Sequence, residues 1–288
     1  VELVEGEVVF PERLAGIFEK IKDLDLHGLP IPRELGGMNA PMLVYFMNSE
    51  LMARADVSTM AHHGFHAGVA MGALVFSALE GSAEIDPANG RFLNVRWRDA
   101  IEEIAAGDAW GCMDITEPDA GSDMAALRSV GEQDADGNWY VTGEKIFITS
   151  GHGKYHFVIA RTEEVDANDP TGGLRGLSMF LVKTYEDDED GKRNRIVQIS
   201  RVEEKLGHHG SATCGLVFDK APADLVGKRG EGFKYMLTLM NNARVGVGFE
   251  CLGLSESAYR TALEYAAERG SMGKTIDRHE MIAEYLET

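Results

Sequence analysis

Apolar side chains recur at helical spacing through the first part of the chain. After Pro11, which a first helical turn tolerates, five apolar positions follow that fall on one face of a helix. They are Leu14, Ile17, Phe18, Ile21 and Leu24. Further helices are predicted at 42–55, 58–79 and 97–106, the second with Ser58 as its N-cap. Residues 1–109 are therefore predicted to form an all-helical N-terminal domain.

The pattern changes after Ala109 to short runs of β-favouring residues separated by turn signals such as Asp136-Gly137-Asn138. The runs are 139–141, 146–148, 157–160, 177–182 and 215–218. Because no helical period intervenes, residues 110–226 are predicted to form a β-barrel-like or sandwich-like middle domain, not a doubly wound sheet.

A second helical part is predicted over 227–288. A long helix spans 233–269, Gly270 ends it, and another helix begins near Asp277. The predicted fold class is therefore α+β and multidomain, with the C-terminal helical bundle opened but not closed. Because the chain starts at Val1 and stops within a helical pattern, we expect it to be part of a longer protein.

Charge and cysteine usage narrow the functional classes. The net charge of −19 argues against a nucleic-acid partner, which would need a basic face. Cys112, Cys214 and Cys251 lack the spacing of a zinc site or a redox disulfide, so reduced thiols are predicted. The most apolar stretch, 67–79, is too short to span a bilayer. We expect a cytoplasmic protein, or a mitochondrial-matrix protein if the source is eukaryotic.

Histidines are concentrated on the third predicted helix. His62 and His66 have the i, i+4 spacing of a metal-binding pair. No carboxylate completes a metalloprotease pattern, and Gly64 interrupts the face. Packed or pocket-lining histidines are therefore favoured over ligands, and no metal is predicted.

Two segments carry the polar chemistry of a ligand site. The apolar run 110–115 ends in a loop, 116–123, that reads Thr-Glu-Pro-Asp-Ala-Gly-Ser-Asp. Such a loop offers backbone N–H groups and hydroxyls to a ligand, and Gly121 allows close approach of the backbone. Further on, a short predicted strand places Phe147 and Thr149 on alternate positions, hence on one face.

The two segments together, with Lys205-Leu206-Gly207 and Arg244 following in order, resemble the acyl-CoA dehydrogenases. The resemblance covers essentially the whole chain. It implies FAD buried between the β domain and the second helical domain. It also implies oxidation of an acyl-CoA thioester to the 2-enoyl-CoA, by α-proton abstraction and hydride transfer from the β-carbon to flavin N5. An electron-transfer flavoprotein is the implied electron acceptor.

The resemblance assigns cofactor roles within the polar loop. Met113, Ile115 and Thr116 match positions that bond the flavin ring. Gly121 and Ser122 match positions near the cofactor's pyrophosphate and the bound coenzyme A, so Ser122 is also a predicted substrate contact.

Further roles follow along the chain. Phe147 stands where the family usually has Trp, covering the flavin, and Thr149 matches the hydroxyl that bonds N5. Arg244 matches an arginine that holds the coenzyme A end. Arg269, with Ser271 beside it, matches a segment that reaches the FAD of a neighbouring subunit. A homodimer or homotetramer is therefore implied, although Glu280 stands where the family commonly has Gln for such a contact.

The catalytic base is not expected within this chain. The family's Glu base usually lies far along the closing helical domain, which implies a position beyond Thr288. In a minority of members it immediately precedes the arginine matched by Arg244, and here that residue is Ala243. Glu250 is expected to face away from the Arg244 position. Two alternatives remain open: a catalytically inactive flavin-binding or structural relative, and an acyl-CoA oxidase.

Overall fold

The computed structural model describes residues 1–164, 173–187 and 190–287. The helices of these residues are α1 (Glu12–Asp23), α2 (Met42–Ala55), α3 (Val57–Glu80), α4 (Arg98–Ala105), α5 (Gly232–Glu268) and α6 (Glu280–Glu287). The strands before and within the middle part are β1 (Glu2–Val4), β2 (Glu7–Val9), β3 (Glu84–Ile85), β4 (Phe92–Asn94), β5 (Gly111–Asp114), β6 (Val130–Gln133), β7 (Trp139–Thr149), β8 (Tyr155–Arg161), β9 (Leu177–Lys183), β10 (Tyr185–Asp187), β11 (Arg193–Arg195), β12 (Val197–Val202) and β13 (Thr213–Val226). A last hairpin consists of β14 (Gly270–Ser271) and β15 (Lys274–Thr275). None of the helices in the described part of the chain is both long and apolar enough to cross a membrane.

The prediction of an all-helical N-terminal domain is wrong in two places. Strands β1 and β2 form an antiparallel hairpin, and β3 and β4 form a second one. The first hairpin turns at Glu5 and Gly6, which both have positive φ, as a two-residue turn between twisted strands requires. The alternating residues that surround this turn are too few to show a helical period, so the periodicity signal missed them.

Helix α3 is capped two residues earlier than predicted. Its N-cap is Asp56, whose Oδ1 accepts a hydrogen bond from the Thr59 backbone N–H at 2.7 Å. Ser58 is therefore not the cap. Its hydroxyl instead accepts from the Gly210 N–H at 3.1 Å. An aspartate carboxylate satisfies a free N–H of the first turn, which leaves the serine available to fix a distant loop.

The middle of the chain is a closed β-barrel, which confirms the barrel alternative of the prediction. Going round the ring, β13 pairs with β7, β7 with β6, β6 with β8, β8 with β9, and β9 again with β13. Strand β12 extends the sheet beyond β13, and β5 pairs in parallel with β8. The barrel interior is filled by buried side chains such as Val158, Phe180 and Leu216. Closure leaves no unpaired edge inside the ring.

Helices α3 and α5 pack against the outside of this barrel. Phe76 of α3 makes edge contacts with Phe157 at 5.2 Å and with Tyr235 at 5.6 Å between ring centroids. Gly232 starts α5 directly on the barrel, where a Cβ would lie 2.4 Å from the Ser178 carbonyl carbon. Only glycine permits this approach. The two helices are thereby held against β8 and β9, and a cavity lies between them and the end of β7.

The predicted C-terminal helices lie close to the observed ones, but the elements between them were not predicted. The long helix ends at Glu268, followed by the β14–β15 hairpin and a short 3₁₀ turn over Ile276–Arg278. Helix α6 starts at Glu280, after the predicted position near Asp277. The domain boundaries predicted after residues 109 and 226 remain predictions.

Candidate active-site cavity

The cavity between α2, α3, α5 and the end of β7 has a volume of about 670 Å³. This lies within the usual range for small-molecule and cofactor sites. Most of its wall is apolar, including Phe46, Met60, Phe65, Met71, Val75, Phe76, Leu239, Met240 and Val247. Three residues predicted to act on cofactor or substrate lie on the same wall: Phe147, Thr149 and Arg244. The cavity therefore joins the β-domain and helical parts of the predicted site.

Phe147 reaches the cavity because its backbone is irregular. Its φ is +58°, and the pairing of β7 with β13 shifts register between the Lys145–Leu216 and Ile148–Cys214 pairs. A bulge of this kind re-aims a side chain, and a positive φ in a bulky residue is unusual outside functional sites. The Phe147 ring is left 59% exposed, whereas Ile148 is buried in the barrel. The conformation presents a large aromatic face to whatever the cavity holds.

Hydroxyl groups are available at this end of the cavity. Thr149 lies on the wall, and its hydroxyl has no hydrogen-bond partner among the described residues. Ser211 also lines the cavity, and its buried Oγ has no partner there. Buried polar atoms are normally hydrogen-bonded, so an unpaired one on a cavity wall fits a polar ligand. An exposed aromatic face with free hydroxyls beside it suits a ring system that has polar edges, as a flavin does.

The residues of the predicted flavin loop lie beside the cavity and do not form its wall. Met113 is buried in the core between barrel and helices, and Ile115 packs partly buried against that core. Thr116 is half-buried, and its carbonyl accepts a hydrogen bond from the Ile146 N–H at 2.9 Å. Gly121 and Ser122 are exposed. The structure thus joins the 115–116 backbone to the residue next to Phe147.

A wholly buried ion pair lies behind this loop, and the sequence did not reveal it. The Lys145 side chain is 0% exposed, and its ammonium donates to Glu117 Oε1 at 2.7 Å. The same ammonium donates to the carbonyls of Ile115 at 3.0 Å and Ile159 at 2.7 Å. We call this set of contacts the lysine clamp. In the sequence, Lys145 is simply a lysine next to the apolar residues of a strand, and exposed lysines commonly occupy such positions.

Glu117 has further partners that fix the turn after the loop. Its carboxylate accepts from the Arg128 N–H at 2.6 Å and the Ser129 N–H at 3.1 Å. Burial alone would raise the pKa of Glu117, but the charge and hydrogen bonds of Lys145 and the other donors bring the pKa below its ordinary value. The carboxylate is therefore held ionised and used internally.

The helical wall of the cavity includes Arg244 and Glu250. Arg244 is exposed, and its Nη1 donates to Asn241 Oδ1 at 2.9 Å. The expectation that Glu250 faces away is wrong, because Glu250 lines the same cavity as Ala243 and Arg244. Glu250 lies seven positions after Ala243, which is about two helical turns, so the two positions share a face. The expectation compared Glu250 with Arg244 instead of with Ala243.

Glu250 is paired across the cavity margin. Its Oε1 lies 2.9 Å from His208 Nε2, on the loop that follows β12. Burial raises the pKa of Glu250, and His208 partly offsets the increase. His208 has a φ of +54°, another strained position at the site.

The histidines of α3 are packed, as favoured by the sequence analysis. Four imidazoles contact Trp110, and a fifth, that of His63, contacts His27. We call these five the histidine cluster: His27, His62, His63, His66 and His152. His62 is occupied by hydrogen bonds, since Nδ1 contacts Ser150 Oγ at 3.0 Å and Nε2 lies 3.3 Å from the Gly210 carbonyl oxygen. Burial lowers the pKa of His62 to about 4 and that of His63 to about 3.

A different group of potential ligand atoms occurs in the barrel. Among the described residues, Cys112, Asp114 and His156 are wholly buried with their side-chain donor atoms within 4.8 Å of one another. His156 Nδ1 lies 2.8 Å from Asp114 Oδ2 and 3.0 Å from Cys112 Sγ. These are direct hydrogen-bond distances. Burial raises the pKa of the Cys112 thiol well above its ordinary value, which favours the protonated, non-ligating form.

The residues predicted to reach a neighbouring subunit lie apart from the cavity. Arg269 follows the end of α5 and is exposed, as is Ser271 in β14. Neither lines the cavity. Their placement on the surface leaves the predicted contact with a second chain as a prediction.

Comparison with known proteins identifies the family. Models of three acyl-CoA dehydrogenase domains match: the N-terminal domain over 2–84, the middle domain over 112–221 and the C-terminal domain over 230–288. The chain is 33% identical to the 3-methylmercaptopropionyl-CoA dehydrogenase of Ruegeria pomeroyi, over 93% of this chain and 43% of that protein. It is 28% identical to an acyl-CoA dehydrogenase of Bacillus subtilis, over 98% of this chain and 67% of that protein.

A solved structure described as the electron transferring flavoprotein of Acidaminococcus fermentans is also similar. Its TM-score is 0.78 and its identity 26%, covering 95% of this chain and 65% of that one. The chain thus spans less than half of the length of the Ruegeria relative and about two thirds of the others. With all three domain models matched in order along the barrel and its flanking helices, the chain belongs to the acyl-CoA dehydrogenase family of oxidoreductases, whose cofactor is FAD.

Proposed function

We propose that this chain forms the flavin and acyl-CoA site of an enzyme that oxidises an acyl-CoA thioester to the 2-enoyl-CoA. One observation carries the proposal: Phe147, Thr149 and Arg244, predicted separately from the sequence, line a single cavity with mostly apolar walls. An apolar wall accommodates an acyl chain and excludes water, and an exposed arginine at its margin suits a polyanionic coenzyme.

The residues of the chain have separate tasks in this proposal. Phe147 covers one face of the flavin ring, and the free Thr149 hydroxyl bonds its reactive edge. When bound, FAD supplies the acceptor for the hydride that leaves the substrate's β-carbon. The apolar wall of α3 and α5 keeps water from the reacting atoms and strengthens every electrostatic contact made there. Ser122 and Arg244 hold the coenzyme A end.

Arg244 is tested by substitution. Because the chain carries a net charge of −19, no general positive field replaces a lost cation. Arg244→Ala is expected to weaken acyl-CoA binding by about tenfold or more, the value of one lost charge-assisted contact, with FAD still bound. Arg260→Ala is the matched control, because Arg260 lies on the same helix and is paired with Glu256. Equal acyl-CoA affinity in wild type and Arg244→Ala would show that Arg244 is only a surface charge.

The catalytic base is proposed to lie beyond Thr288, and Glu250 is the alternative candidate within the chain. Glu250 is the carboxylate on the described cavity wall, with a pKa raised by burial. Exchange of the substrate's α-proton in deuterated buffer separates the two. In protein that includes the residues beyond Thr288, Glu250→Gln should leave exchange intact if the base lies there. Loss of exchange with normal acyl-CoA binding would assign the base to Glu250.

The molecule that accepts the electrons distinguishes the proposed enzyme from the two alternatives. An electron-transfer flavoprotein is the proposed acceptor, supported by the description of one structure similar to this chain. Reduction of that acceptor on addition of acyl-CoA is expected, without hydrogen peroxide. Peroxide production would favour an acyl-CoA oxidase, and a flavin that is bound but never bleached by acyl-CoA would favour an inactive relative. A homodimer or homotetramer, with Arg269 and Ser271 at a neighbour's FAD, completes the proposal.

A further inference from the structure

Lys145 is a lysine of strand β7 whose side chain is wholly buried. Its side chain is 0% exposed, and its ammonium has three hydrogens with three acceptors: Glu117 Oε1, the Ile115 carbonyl and the Ile159 carbonyl. A buried ammonium is costly unless every donor is satisfied and an opposite charge is adjacent. The lysine clamp meets both conditions, so its geometry is narrowly defined.

The acceptors of the clamp lie where the cofactor loop begins. Ile115 receives the ammonium on its carbonyl, Thr116 receives the Ile146 N–H on its carbonyl at 2.9 Å, and Glu117 receives the ammonium on its side chain. Three consecutive residues are thus tied to two consecutive residues of β7. Glu117 also bonds back to Ala120, with N–H to carbonyl contacts of 3.1 Å in both directions. These contacts fix the backbone conformation at the start of the 116–123 loop.

The same strand segment leads directly into the cavity wall. Lys145 and Ile146 hold the loop, and the bulge that follows turns Phe147 outward and leaves Thr149 on the same wall. Any displacement of 115–117 relative to β7 would therefore separate two sets of predicted flavin contacts. The buried ion pair ties residues 115–117 to β7, so it keeps the distance between the two sets of contacts constant.

We infer that Lys145 is a positioning residue for the cofactor: its ammonium holds the Ile115–Glu117 backbone at the spacing from Phe147 and Thr149 that one flavin ring requires. This inference rests on the proposed function, since it assumes that FAD occupies the cavity. Lys145 acts through Ile115 and Glu117 and does not itself line the cavity.

The test compares three variants with wild-type protein stripped of flavin. Lys145→Met removes the ammonium but keeps a long apolar side chain. Lys145→Met with Glu117→Gln also removes the carboxylate charge, so no unpaired charge remains. Lys154→Met is the control, because Lys154 pairs with Glu103 at 2.6 Å, is partly exposed and contacts neither Ile115 nor Glu117. Each protein is titrated with FAD by flavin fluorescence, after circular dichroism has shown that it is folded.

We expect FAD affinity to fall about tenfold or more in both Lys145 variants, as for loss of a charge-assisted hydrogen bond, and to stay unchanged in Lys154→Met. The absorbance spectrum of the flavin that does bind should also shift. Wild-type affinity in Lys145→Met would overturn the inference. Affinity restored in the double variant would also overturn it, because the defect would then come from an unpaired carboxylate and not from the lost contact to Ile115.

A second measurement needs no flavin and so separates this inference from the proposed function. The amides of Glu117 and Ala120 are hydrogen-bonded to each other's carbonyls. Hydrogen exchange of a peptide spanning 113–121, followed by mass spectrometry, should speed up in the folded flavin-free Lys145→Met protein and not in Lys154→Met. If wild type binds no FAD but this difference appears, the proposed function fails while the clamp stands. Unchanged exchange in Lys145→Met would refute the clamp itself.

Discussion

The lysine clamp and the histidine cluster are two buried polar groups beside the same cavity, and they are built on opposite principles. In the clamp every ammonium hydrogen has an acceptor. In the histidine cluster several buried ring nitrogens have no partner among the described residues: His27 Nδ1, His63 Nδ1, His66 Nε2 and both nitrogens of His152. Hydrogen bonds and charge hold the first group together. The second is held by the packing of uncharged rings around Trp110.

This difference predicts that the two groups lose stability in acid over different pH ranges. The pKa of Glu117 lies below its ordinary value, so the clamp's contribution to stability is present above about pH 4.5 and is lost only as the pH falls below that. Burial lowers the pKa of His27 and His62 to about 4 and that of His63 to about 3, and lowers those of His66 and His152 well below the ordinary value. The unfolded chain then binds protons from pH 6.5 downward while the folded chain does not, so stability falls with pH in that range.

The largest expected effect is acid unfolding between pH 6.5 and pH 4, caused by the histidine cluster. At pH 5 each imidazole whose folded-state pKa is about 4 or lower costs on the order of 2 kcal/mol of unfolding free energy, and His27, His62 and His63 together cost a large part of the stability of a typical domain. His152→Phe should recover stability at pH 5 and change it little at pH 8, measured by urea unfolding at both pH values. Exposed His209→Gln is the control. An unchanged pH dependence in His152→Phe would remove that histidine from the explanation.

The next effect contrasts the two groups at neutral pH. Lys145→Met leaves the buried Glu117 carboxylate without its countercharge and should lower the free energy of unfolding by about 3–5 kcal/mol. His152→Phe removes two unpartnered nitrogens from an aromatic cluster and should change stability by less than about 1.5 kcal/mol. Chemical unfolding at pH 8 measures both. Equal losses of unfolding free energy in the two variants would mean that the clamp and the cluster do not differ in how they are stabilised.

The smallest effect separates two adjacent hydroxyls. Thr149 faces the cavity, whereas the buried Ser150 Oγ contacts His62 Nδ1 at 3.0 Å. Thr149→Val should shift the flavin spectrum or slow its reduction, with little change in stability. Ser150→Ala should do the reverse, at a cost of about 1 kcal/mol, the net value of one neutral hydrogen bond. A stability loss in Thr149→Val with an unaltered flavin spectrum would place its hydroxyl in the core and not at the cofactor.

Much of the site could be predicted because its signals are local. Phe147 and Thr149 were placed on one face by the alternation of a strand, and the structure brings both to the cavity. The bulge that exposes Phe147 was not predictable, because it depends on the register between β7 and β13. Glu250 was placed wrongly for a similar reason: its position was judged from one neighbour, and the cavity that it lines is formed by several elements.

The sequence by itself determined the helices, the middle β domain and the order of the predicted site residues. Helix α2, for example, has the predicted bounds. These features depend on periodicity and on residues close together in the chain, where backbone geometry repeats. Only the tertiary structure decided which polar side chains are buried and what satisfies them. Lys145 meets Ile115 and Glu117 from thirty and twenty-eight positions away, and His62 meets Ser150 across eighty-eight. Burial and hydrogen bonding of that kind arise from three-dimensional packing, which leaves no periodic trace in a single sequence.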